Sequence, residues 1–377
     1  NIFSSYLNKR HKYLYKMNKG GRKIPRKDDK LIEKINKAYD GDKVVPYRGN
    51  SALASSKSEF KYDKDRIEVI RKSAQNILYF AQHFFYIINI DDGKQKIELH
   101  PFQRETLRIL RDNKKVVVNA SRQVGKTTLA TIYALWLVTF FEYKKIVIVA
   151  NKEKTAQEIF SRIKMAYEEL PNWLKPAPED GHYAKQGMKL SNGSEITISA
   201  TSNDAVRGVS ANCILLDEAA HIDEGIIQEF WSAVYPIISS GKKTRVIITS
   251  TPNGTGNLFH KIFSEAKEGK NGWAWQEIPW TEVPGRDEEW ELDQRLTLGD
   301  DLFEQEFNCQ FLESGKSLIP EDVFNRLMTK VKDPVHEFED GNFKIWEIPN
   351  IDERIYAQGS WNDANRRLMN GPLDTRS

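Results

Sequence analysis

One stretch, residues 116–128, constrains the fold more than any other part of the sequence. It begins with three valines, turns at Gly125 and continues through Lys126, Thr127 and Thr128 into an apolar run. This order predicts a β-strand, a phosphate-binding loop and an α-helix. Glycine lets the backbone approach a phosphate, so that successive N–H groups point at the anion. The positive end of the following helix favours the same site.

The loop departs from the standard G-x-x-x-x-G-K-[ST] pattern, because Ala120 occupies the first glycine position. Lys126 is predicted to reach the outer phosphates, and the Thr127 hydroxyl is predicted to hold Mg²⁺. The alternative is a chance Gly-Lys-Thr sequence in a surface loop. The strand and helix patterns on either side favour the phosphate site over that alternative.

Two adjacent acids, Asp217 and Glu218, follow a second apolar strand that begins at Cys213. At the carboxyl end of a buried strand, neighbouring carboxylates are costly unless a cation or a substrate lies in the crevice they face. Asp217 is therefore predicted to bind Mg²⁺ through its water shell, and Glu218 to position and polarise the attacking water. A solvent-exposed acidic turn is the alternative, and the phosphate loop upstream argues against it.

The remaining patterns predict a mainly parallel sheet. The apolar run of residues 145–150 follows the helix after the phosphate loop, which makes a β-α-β unit with a right-handed crossover. A capping box at residues 155–158 predicts the start of the next helix. Residues 188–200 predict a hairpin with an Asn-Gly turn at Asn192 and Gly193.

A further buried strand is predicted at residues 245–254, and it ends in three hydroxyl side chains. Thr249, Ser250 and Thr251 are placed to sense the γ-phosphate of a nucleotide. The Thr-Pro-Asn-Gly sequence that begins at Thr251 is also good turn chemistry without any ligand, which is the alternative interpretation.

Upstream of the loop the signals are weaker. Gln103 lies at the start of a predicted helix, where its amide could read both the donor and the acceptor of an adenine edge. Residues 64–87 carry apolar side chains at helical spacing and predict one amphipathic helix with an aromatic core face. Residues 1–61 are polar and aperiodic, so we expect them to wrap or flex more than they pack.

Charge is distributed unevenly along the 377 residues. Residues 1–50 hold 14 Lys and Arg against 5 Asp and Glu, a local charge of +9, although the whole chain carries only +3. Such a basic arm is typical of nucleic-acid binding, and a solvated tail is an equal alternative. The length predicts two domains or one large domain with an appendage. Because the chain begins with Asn1 instead of Met, we expect it to be a fragment.

The composition excludes several classes of protein. With 40% hydrophobic and 29% charged residues, the chain resembles a soluble globular protein. No run approaches the roughly 18 apolar residues of a membrane span, and the start lacks the apolar block of a signal peptide. Cys213 and Cys309 are too few for a disulfide framework or a zinc site. A cytosolic protein without a membrane partner is therefore expected.

Taken in chain order, these motifs resemble the ATPase domain of the large terminase subunit, the DNA-packaging motor of tailed bacteriophages. The similarity covers residues 98–312. In that family the phosphate loop has the form Ser-Arg-Gln-x-Gly-Lys-Thr, which accounts for the missing first glycine. The motifs that carry the resemblance are the glutamine motif at 99–103, the loop at 121–128, Asp204-Ala-Val-Arg-Gly208, the acidic pair in 214–218, and 247–254.

The resemblance implies a role for each matched residue. Gln103 would contact the adenine, Arg122 would lie over the phosphates, and the hydroxyls at 249–251 would couple hydrolysis to movement. Arg207 is the candidate arginine finger inserted into a neighbouring subunit's site, on account of its Gly-flanked loop. Catalysis would thus rest on Glu218, Arg122, Arg207 and Lys126. The implied cofactors are ATP and Mg²⁺, with ATP contacts from Ser121, Arg122, Gln123, Val124, Gly125, Lys126, Thr127 and Thr128.

The expected fold is a P-loop NTPase of the ASCE/RecA-like class, with a mainly parallel sheet flanked by helices and a small extra subdomain from the N- and C-terminal segments. Residues 1–63 form the basic segment, 64–315 the ATPase domain, and 316–377 a small subdomain or linker. The resemblance raises the question of the family's second, nuclease domain. The strand pattern at 354–359 continues without the expected acid, so we expect no nuclease activity in this chain.

The implied partners are double-stranded DNA, the portal protein and the small terminase subunit. We expect a homo-oligomeric ring on the portal and a monomer in solution, in the cytoplasm of the infected bacterial host and transiently on the procapsid. Two other hypotheses remain open from the sequence. One is a helicase or remodelling ATPase with the same core, and the other is a nucleotide-gated DNA-binding switch.

Overall fold

The structure is a computed structural model that describes residues 28–37, 41–89, 93–200, 211–240, 244–312, 336–338 and 343–345. The chain divides into two compact units, residues 1–314 and 315–377. In the smaller unit the described residues form an antiparallel hairpin. Arg207 and its loop, and the strand pattern at 354–359, lie outside the described residues.

The described helices and strands all belong to the larger unit except the last two strands, which form the hairpin of the smaller one. The helices are α1 Asp29–Asn36, α2 Lys64–Gln75, α3 Ile77–Phe84, α4 Pro101–Asp112, α5 Lys126–Phe140, α6 Glu153–Glu169, α7 Glu224–Ser240, α8 Leu258–Lys267, α9 Glu288–Leu298 and α10 Asp300–Glu306. The strands are β1 Pro46–Tyr47, β2 Asn50–Ala54, β3 Tyr86–Asn89, β4 Gly93–Lys96, β5 Lys115–Ala120, β6 Lys145–Ala150, β7 Pro178–Tyr183, β8 Gly187–Leu190, β9 Glu195–Ala200, β10 Cys213–Asp217, β11 Arg245–Ser250, β12 Ala274–Ile278, β13 His336–Phe338 and β14 Phe343–Ile345.

An eight-stranded sheet, in the order β12-β5-β11-β10-β6-β9-β8-β7, forms the centre of the larger unit. The pairings from β12 to β9 are parallel, and the predicted hairpin of β8 and β9 begins an antiparallel extension. Strand β11 lies between β5, which leads into the phosphate loop, and β10, which ends in Asp217. This inserted strand confirms the predicted ASCE/RecA-like class.

Helix α5 runs beneath the sheet and is buried on all sides. Its 15 residues show no apolar stripe, because residues 129–139 are all buried or nearly so. A helix that is apolar all round belongs in the interior of a protein. Strand β5 is equally enclosed, with Val116, Val117 and Val118 at most 1% exposed. Burial on both faces holds the loop between β5 and α5 on a rigid base.

Among the described residues before Lys64, the side chains of Ile32, Ile35, Tyr47 and Leu53 enter the hydrophobic core of the ATPase domain, and most of the others are exposed. Ile32 and Ile35 of α1 are at most 1% exposed. The Arg66 guanidinium forms a largely buried ion pair with Asp42 at 2.7 Å and lies 5.3 Å from the centre of the Trp173 ring. A few buried anchors hold this polar segment, and a few anchors leave no periodic signal in a sequence.

The helix predicted at 64–87 is two helices and a strand. The Asn76 side chain accepts hydrogen bonds from the N–H groups of Leu78 and Tyr79, which ends α2 and begins α3. An Asn in this position competes with the helical hydrogen bonds of its own backbone. Helix α6 also differs from its prediction, because it begins at Glu153, before the capping box.

Residues 279–312, here called the aromatic segment, contain α9 and α10. Trp280, Trp290, Phe303 and Phe307 pack on one another, with ring centres 5.2–6.2 Å apart. The Asn119 amide of β5 donates to the carbonyl of Cys309 at 2.9 Å, which joins the segment to the strand before the loop. Burial raises the pKa of both thiols, Cys213 and Cys309, to about 12.

Candidate active site

The phosphate loop turns without its first glycine. Ala120 is still part of β5 and pairs with Ile278 of β12, so no left-handed residue is required there. The turn is made instead by Gln123, with a φ of 61°, and Gly125, with a φ of 85°. Gly125 immediately precedes α5, whose first N–H groups have no partner within the helix and face the loop. This arrangement can bind an anion.

Gln103 holds the loop from below. Its amide nitrogen donates to the carbonyl of Val124 at 2.9 Å, and its amide oxygen accepts from the N–H of His100 at 3.0 Å. A Cβ atom at Gly125 would lie 3.1 Å from the same nitrogen. The side chain is buried, and it fixes the loop against the start of α4. Its predicted contact with adenine stays a prediction.

Asp217 ends β10 at the bottom of the crevice. One carboxylate oxygen accepts a hydrogen bond from Thr127 at 2.7 Å, and the other accepts one from Thr249 at 2.6 Å. Burial and the neighbouring charge of Glu218 raise the pKa of the Asp217 carboxyl. The side chain is thus held by hydroxyls from the phosphate loop and from β11, at a position where a positive charge would stabilise its ionised form.

Glu218 is aimed at the phosphate loop by an unusual backbone conformation. Its φ is 54°, in the left-handed region that residues other than glycine seldom adopt. One carboxylate oxygen lies 3.1 Å from the Lys126 ammonium. The other is buried with no hydrogen-bond partner among the described residues, and the nearest His221 nitrogen is 3.7 Å away. A buried, unpartnered carboxylate oxygen beside a phosphate loop fits a site for a water molecule.

The three hydroxyls at the end of β11 all contact the chain around the acidic pair. Thr249 donates to Asp217, and Ser250 accepts from the N–H of Ala220 at 3.1 Å. The hydroxyl of Thr251 lies 2.9 Å from the His221 ring nitrogen. Each hydroxyl is buried, so three buried hydrogen bonds join the end of β11 to Asp217 and the residues that follow it.

The Arg122 side chain contacts the aromatic segment, and its predicted place over the phosphates stays a prediction. Its guanidinium forms a two-pronged ion pair with Glu306 of α10, at 2.7 and 2.9 Å. The N–H of Arg122 also donates to the carbonyl of Glu306 at 2.9 Å. Arg122 is half exposed and Glu306 is buried, so the pair lies at the edge of the site.

Sequence reasoning missed three residues of this site: His221, Arg286 and Glu306. Glu306 was the most readable of them, because it is an acid between the core aromatics of α10. His221 follows the acidic pair closely enough to have been considered. Arg286 donates to the carbonyl of Arg122 at 3.0 Å, and nothing in its local sequence indicated this.

The residues around Asp217 fit Mg²⁺. The available donors are a carboxylate and threonine hydroxyls, which are the oxygen ligands that this ion prefers. Among the residues that the structure describes, no cluster of three or more His, Cys, Asp or Glu side chains could hold a metal by itself. Mg²⁺ commonly takes one or two protein oxygens and completes its shell with substrate phosphates and water.

A parallel sheet with an inserted strand, a Gly-Lys-Thr loop before a buried helix and an acidic pair facing it define a P-loop ATPase. The family model of the terminase large subunit, T4likevirus-type, N-terminal, matches residues 117–326. The chain belongs to this family. Large terminases are the ATP-hydrolysing motors of viral DNA packaging, and this chain carries the ATPase part. The match does not favour the helicase or the switch hypothesis.

Solved structures of phage terminases resemble the chain. The large terminase of HK97 bacteriophage is 16% identical, with a TM-score of 0.52 over 63% of this chain and 55% of that one. The ATPase domain of the Thermus phage P74-26 large terminase is 23% identical, with a TM-score of 0.47 over 67% of this chain and 100% of that one. The chain thus spans about half the length of the HK97 protein. Within the described residues, no helix is long and apolar enough to cross a membrane.

Proposed function

We propose that nucleotide binding in this motor works by exchange of anions around the phosphate loop. In the structure, each of the loop's two cations contacts a carboxylate: Lys126 contacts Glu218, and Arg122 contacts Glu306. The phosphates of ATP carry more charge than a carboxylate and fit the N–H groups at the start of α5. Binding of ATP therefore draws Lys126 and Arg122 to the phosphates and separates them from their carboxylates.

This exchange activates Glu218 only when ATP is present. Once Lys126 contacts phosphate, the Glu218 carboxylate is free to accept a proton from the attacking water. Its unpartnered oxygen already lies in a buried position beside the loop. Lys126 and Arg122 then stabilise the charge that develops on the transferred phosphoryl group. The pairing of Lys126 with Glu218 is the observation that carries this proposal.

Thr127 and Asp217 would hold Mg²⁺, Thr127 directly and Asp217 through water. When bound, the ion neutralises charge on the β- and γ-phosphates. In the structure the Thr127 hydroxyl donates to Asp217, and the lone pairs of the same oxygen would remain available to the ion. The buried charge of Asp217 then has a countercharge, which it lacks among the described side chains in direct contact with it.

Thr249, Ser250 and Thr251 would pass the state of the nucleotide to the rest of the motor. Their hydroxyls bond to Asp217, to the backbone of Ala220 and to His221, which are on or beside the acidic pair. A shift of Asp217 or Glu218 during hydrolysis therefore changes three hydrogen bonds to β11. Asn253 continues this path, because its amide donates to the carbonyl of Ala220 at 3.0 Å.

Membership of the terminase family supports the proposed partners. We propose that the motor acts on double-stranded DNA as a homo-oligomeric ring on the portal, that the small terminase subunit delivers the DNA, and that Arg207 of one subunit completes the site of the next. It would work in the cytoplasm of the infected host and on the procapsid. If Arg207 acts in trans, ATP turnover per subunit rises with protein concentration, and Arg207→Ala abolishes that rise.

Substitution of Glu218 tests the catalytic assignment. Glu218→Gln keeps the size of the side chain and removes the base, so we expect ATP turnover to fall at least 100-fold while binding of a fluorescent ATP analogue is retained. The control is Glu229→Gln, at an exposed position of α7. Turnover of Glu218→Gln close to that of the control would overturn the assignment.

A further inference from the structure

Arg286, between β12 and α9, contacts the phosphate loop from the side of the aromatic segment. Its guanidinium donates to the carbonyl of Arg122 at 3.0 Å and lies 3.3 Å from the Ser121 hydroxyl. The same group lies 4.6 Å from the ring centre of Trp290 and 5.5 Å from that of Phe307. Arg286 is therefore fixed in position by two aromatic rings and by the loop itself.

The charge of Arg286 has no carboxylate partner among the described residues. The other arginine of the aromatic segment, Arg295, is surrounded by Glu291, Asp300 and Glu304 at 2.6–2.9 Å. The acid next to Arg286, Asp287, instead caps α9 by accepting from the N–H of Trp290. A half-buried guanidinium without a countercharge is costly, and an anion bound nearby reduces that cost.

The hydrogen bond from Arg286 to the Arg122 carbonyl helps to fix the backbone of the phosphate loop. A loop that binds phosphate must turn its N–H groups inward, so some of its carbonyls face outward and need donors. The carbonyl of Arg122 accepts from Arg286 at 3.0 Å and from the Ser121 hydroxyl at 3.3 Å, while the backbone carbonyl of Glu306 accepts from the N–H of Arg122. The aromatic segment thus holds both backbone polar groups of Arg122.

We propose that Arg286 is a positioning residue for ATP binding, which holds the phosphate loop in its anion-accepting form and places an unneutralised positive charge beside it. This inference rests on the proposed function. Its consequence is that the aromatic segment responds to nucleotide: phosphate binding strengthens the hold of Arg286 on the loop, and the ring of Trp290 beneath it reports the change.

Two substitutions separate the charge of Arg286 from its hydrogen bonds. Arg286→Gln keeps one donor and removes the charge, and Arg286→Lys keeps the charge and loses the planar fork. We expect Arg286→Gln to raise the KM for ATP and the Kd of a fluorescent ATP analogue about tenfold, because a charged hydrogen bond is lost, with kcat within about threefold of wild type. The KM and Kd of Arg286→Lys should lie between those of wild type and those of Arg286→Gln.

The matched control is Arg295→Gln, which removes a guanidinium from the same segment at a position that does not contact the loop. Thermal unfolding without nucleotide measures any loss of stability in each variant. The nucleotide-dependent change in tryptophan fluorescence, assigned with Trp290→Phe, should be present in wild type and Arg295→Gln and reduced in Arg286→Gln. A merely structural role for Arg286 would not produce this pattern.

Two results would overturn the proposal: a KM and Kd of Arg286→Gln within twofold of wild type, or an equal rise in Arg295→Gln. A wrong assignment of Glu218 as the catalytic base would give a different result. Glu218→Gln would then hydrolyse ATP like wild type, whatever the KM and Kd of the Arg286 variants.

Discussion

The guanidinium of Arg122 and the carboxylate of Glu306 form an ion pair across 184 residues of chain, with both contacts at 2.9 Å or less. The pair joins the phosphate loop to α10. It also occupies the arginine of the Ser-Arg-Gln-x-Gly-Lys-Thr loop, so a bound anion would have to compete with Glu306 for the Arg122 guanidinium.

Removal of this competing carboxylate should strengthen nucleotide binding. In Glu306→Gln, Arg122 no longer has to leave an ion pair in order to contact phosphate. We expect the Kd of a fluorescent ATP analogue to fall about three- to tenfold, which corresponds to about 1 kcal/mol. Glu304→Gln is the control, since Glu304 contacts Arg295 and not the loop. A Kd equal to that of the control would contradict the idea of competition.

The buried charge of Asp217 should cost stability when no nucleotide is bound. Because the folded-state pKa of Asp217 is raised, the unfolded chain loses the proton first, and the cost grows as the pH rises from the ordinary value of 3.8 through the folded-state pKa. We expect Asp217→Asn to raise the free energy of unfolding at pH 7 by about 1 kcal/mol, and with it the unfolding temperature. This gain in stability should disappear as the pH is lowered toward 4.

This variant should also be inactive, which makes it a gain of stability at the expense of function. The control is Asp180→Asn, at an exposed position where the charge is solvated. Scanning calorimetry at several pH values gives the comparison. An advantage of Asp217→Asn that is equal at pH 4 and pH 7 would show that the charge is not its cause.

Thr251 should matter for coupling more than for hydrolysis. Thr251→Val keeps the shape of the side chain and removes the hydrogen bond to His221, which does not touch the phosphate loop. We expect basal ATP turnover within about threefold of wild type, and a loss of at least tenfold in DNA-stimulated turnover. Thr297→Val, on the exposed side of α9, controls for the loss of a hydroxyl. Equal losses in basal and stimulated turnover would contradict a coupling role.

The ion pair of Asp42 and Arg66 should anchor the polar segment before α2. Asp42→Ala leaves a buried guanidinium without its carboxylate, so we expect a loss of about 3–5 kcal/mol in the free energy of unfolding and earlier proteolysis near α1. Glu59→Ala breaks the exposed pair with Lys43 and should cost less than about 1 kcal/mol. Denaturant titration compares the two, and similar losses would refute the anchoring role of Asp42.

The sequence predicted those parts of the site in which the functional residues directly follow a recognisable strand. The phosphate loop, Asp217 with Glu218 and the hydroxyls of β11 each follow a buried strand, and a parallel sheet brings the carboxyl ends of its strands together. The inserted position of β11 agreed with the family resemblance. The parallel core and its hairpin extension could therefore be predicted, as could most element bounds to within two residues.

The contacts of Arg122 and Gln103 could not be predicted in the same way. Glu306 and Arg286 approach the loop only after the chain has passed through β12 and the aromatic segment has folded on itself, and no local pattern encodes that approach. Gln103 was predicted to contact the adenine, which stays a prediction, and its hydrogen bond to the backbone of Val124 was not foreseen. The anchors of the segment before α2 were missed for a related reason, because residues such as Ile32 and Asp42 stand alone in a polar stretch.

The two buried thiols have a practical consequence for the study of this motor. Cys213 and Cys309 are the only cysteines of the sequence, and each is enclosed with its pKa raised to about 12. At neutral pH the reactive thiolate is almost absent from both. A single cysteine introduced at an exposed position would thus be the dominant site for a maleimide dye. The native chain is ready for site-specific fluorescent labelling, with no need to replace its own cysteines.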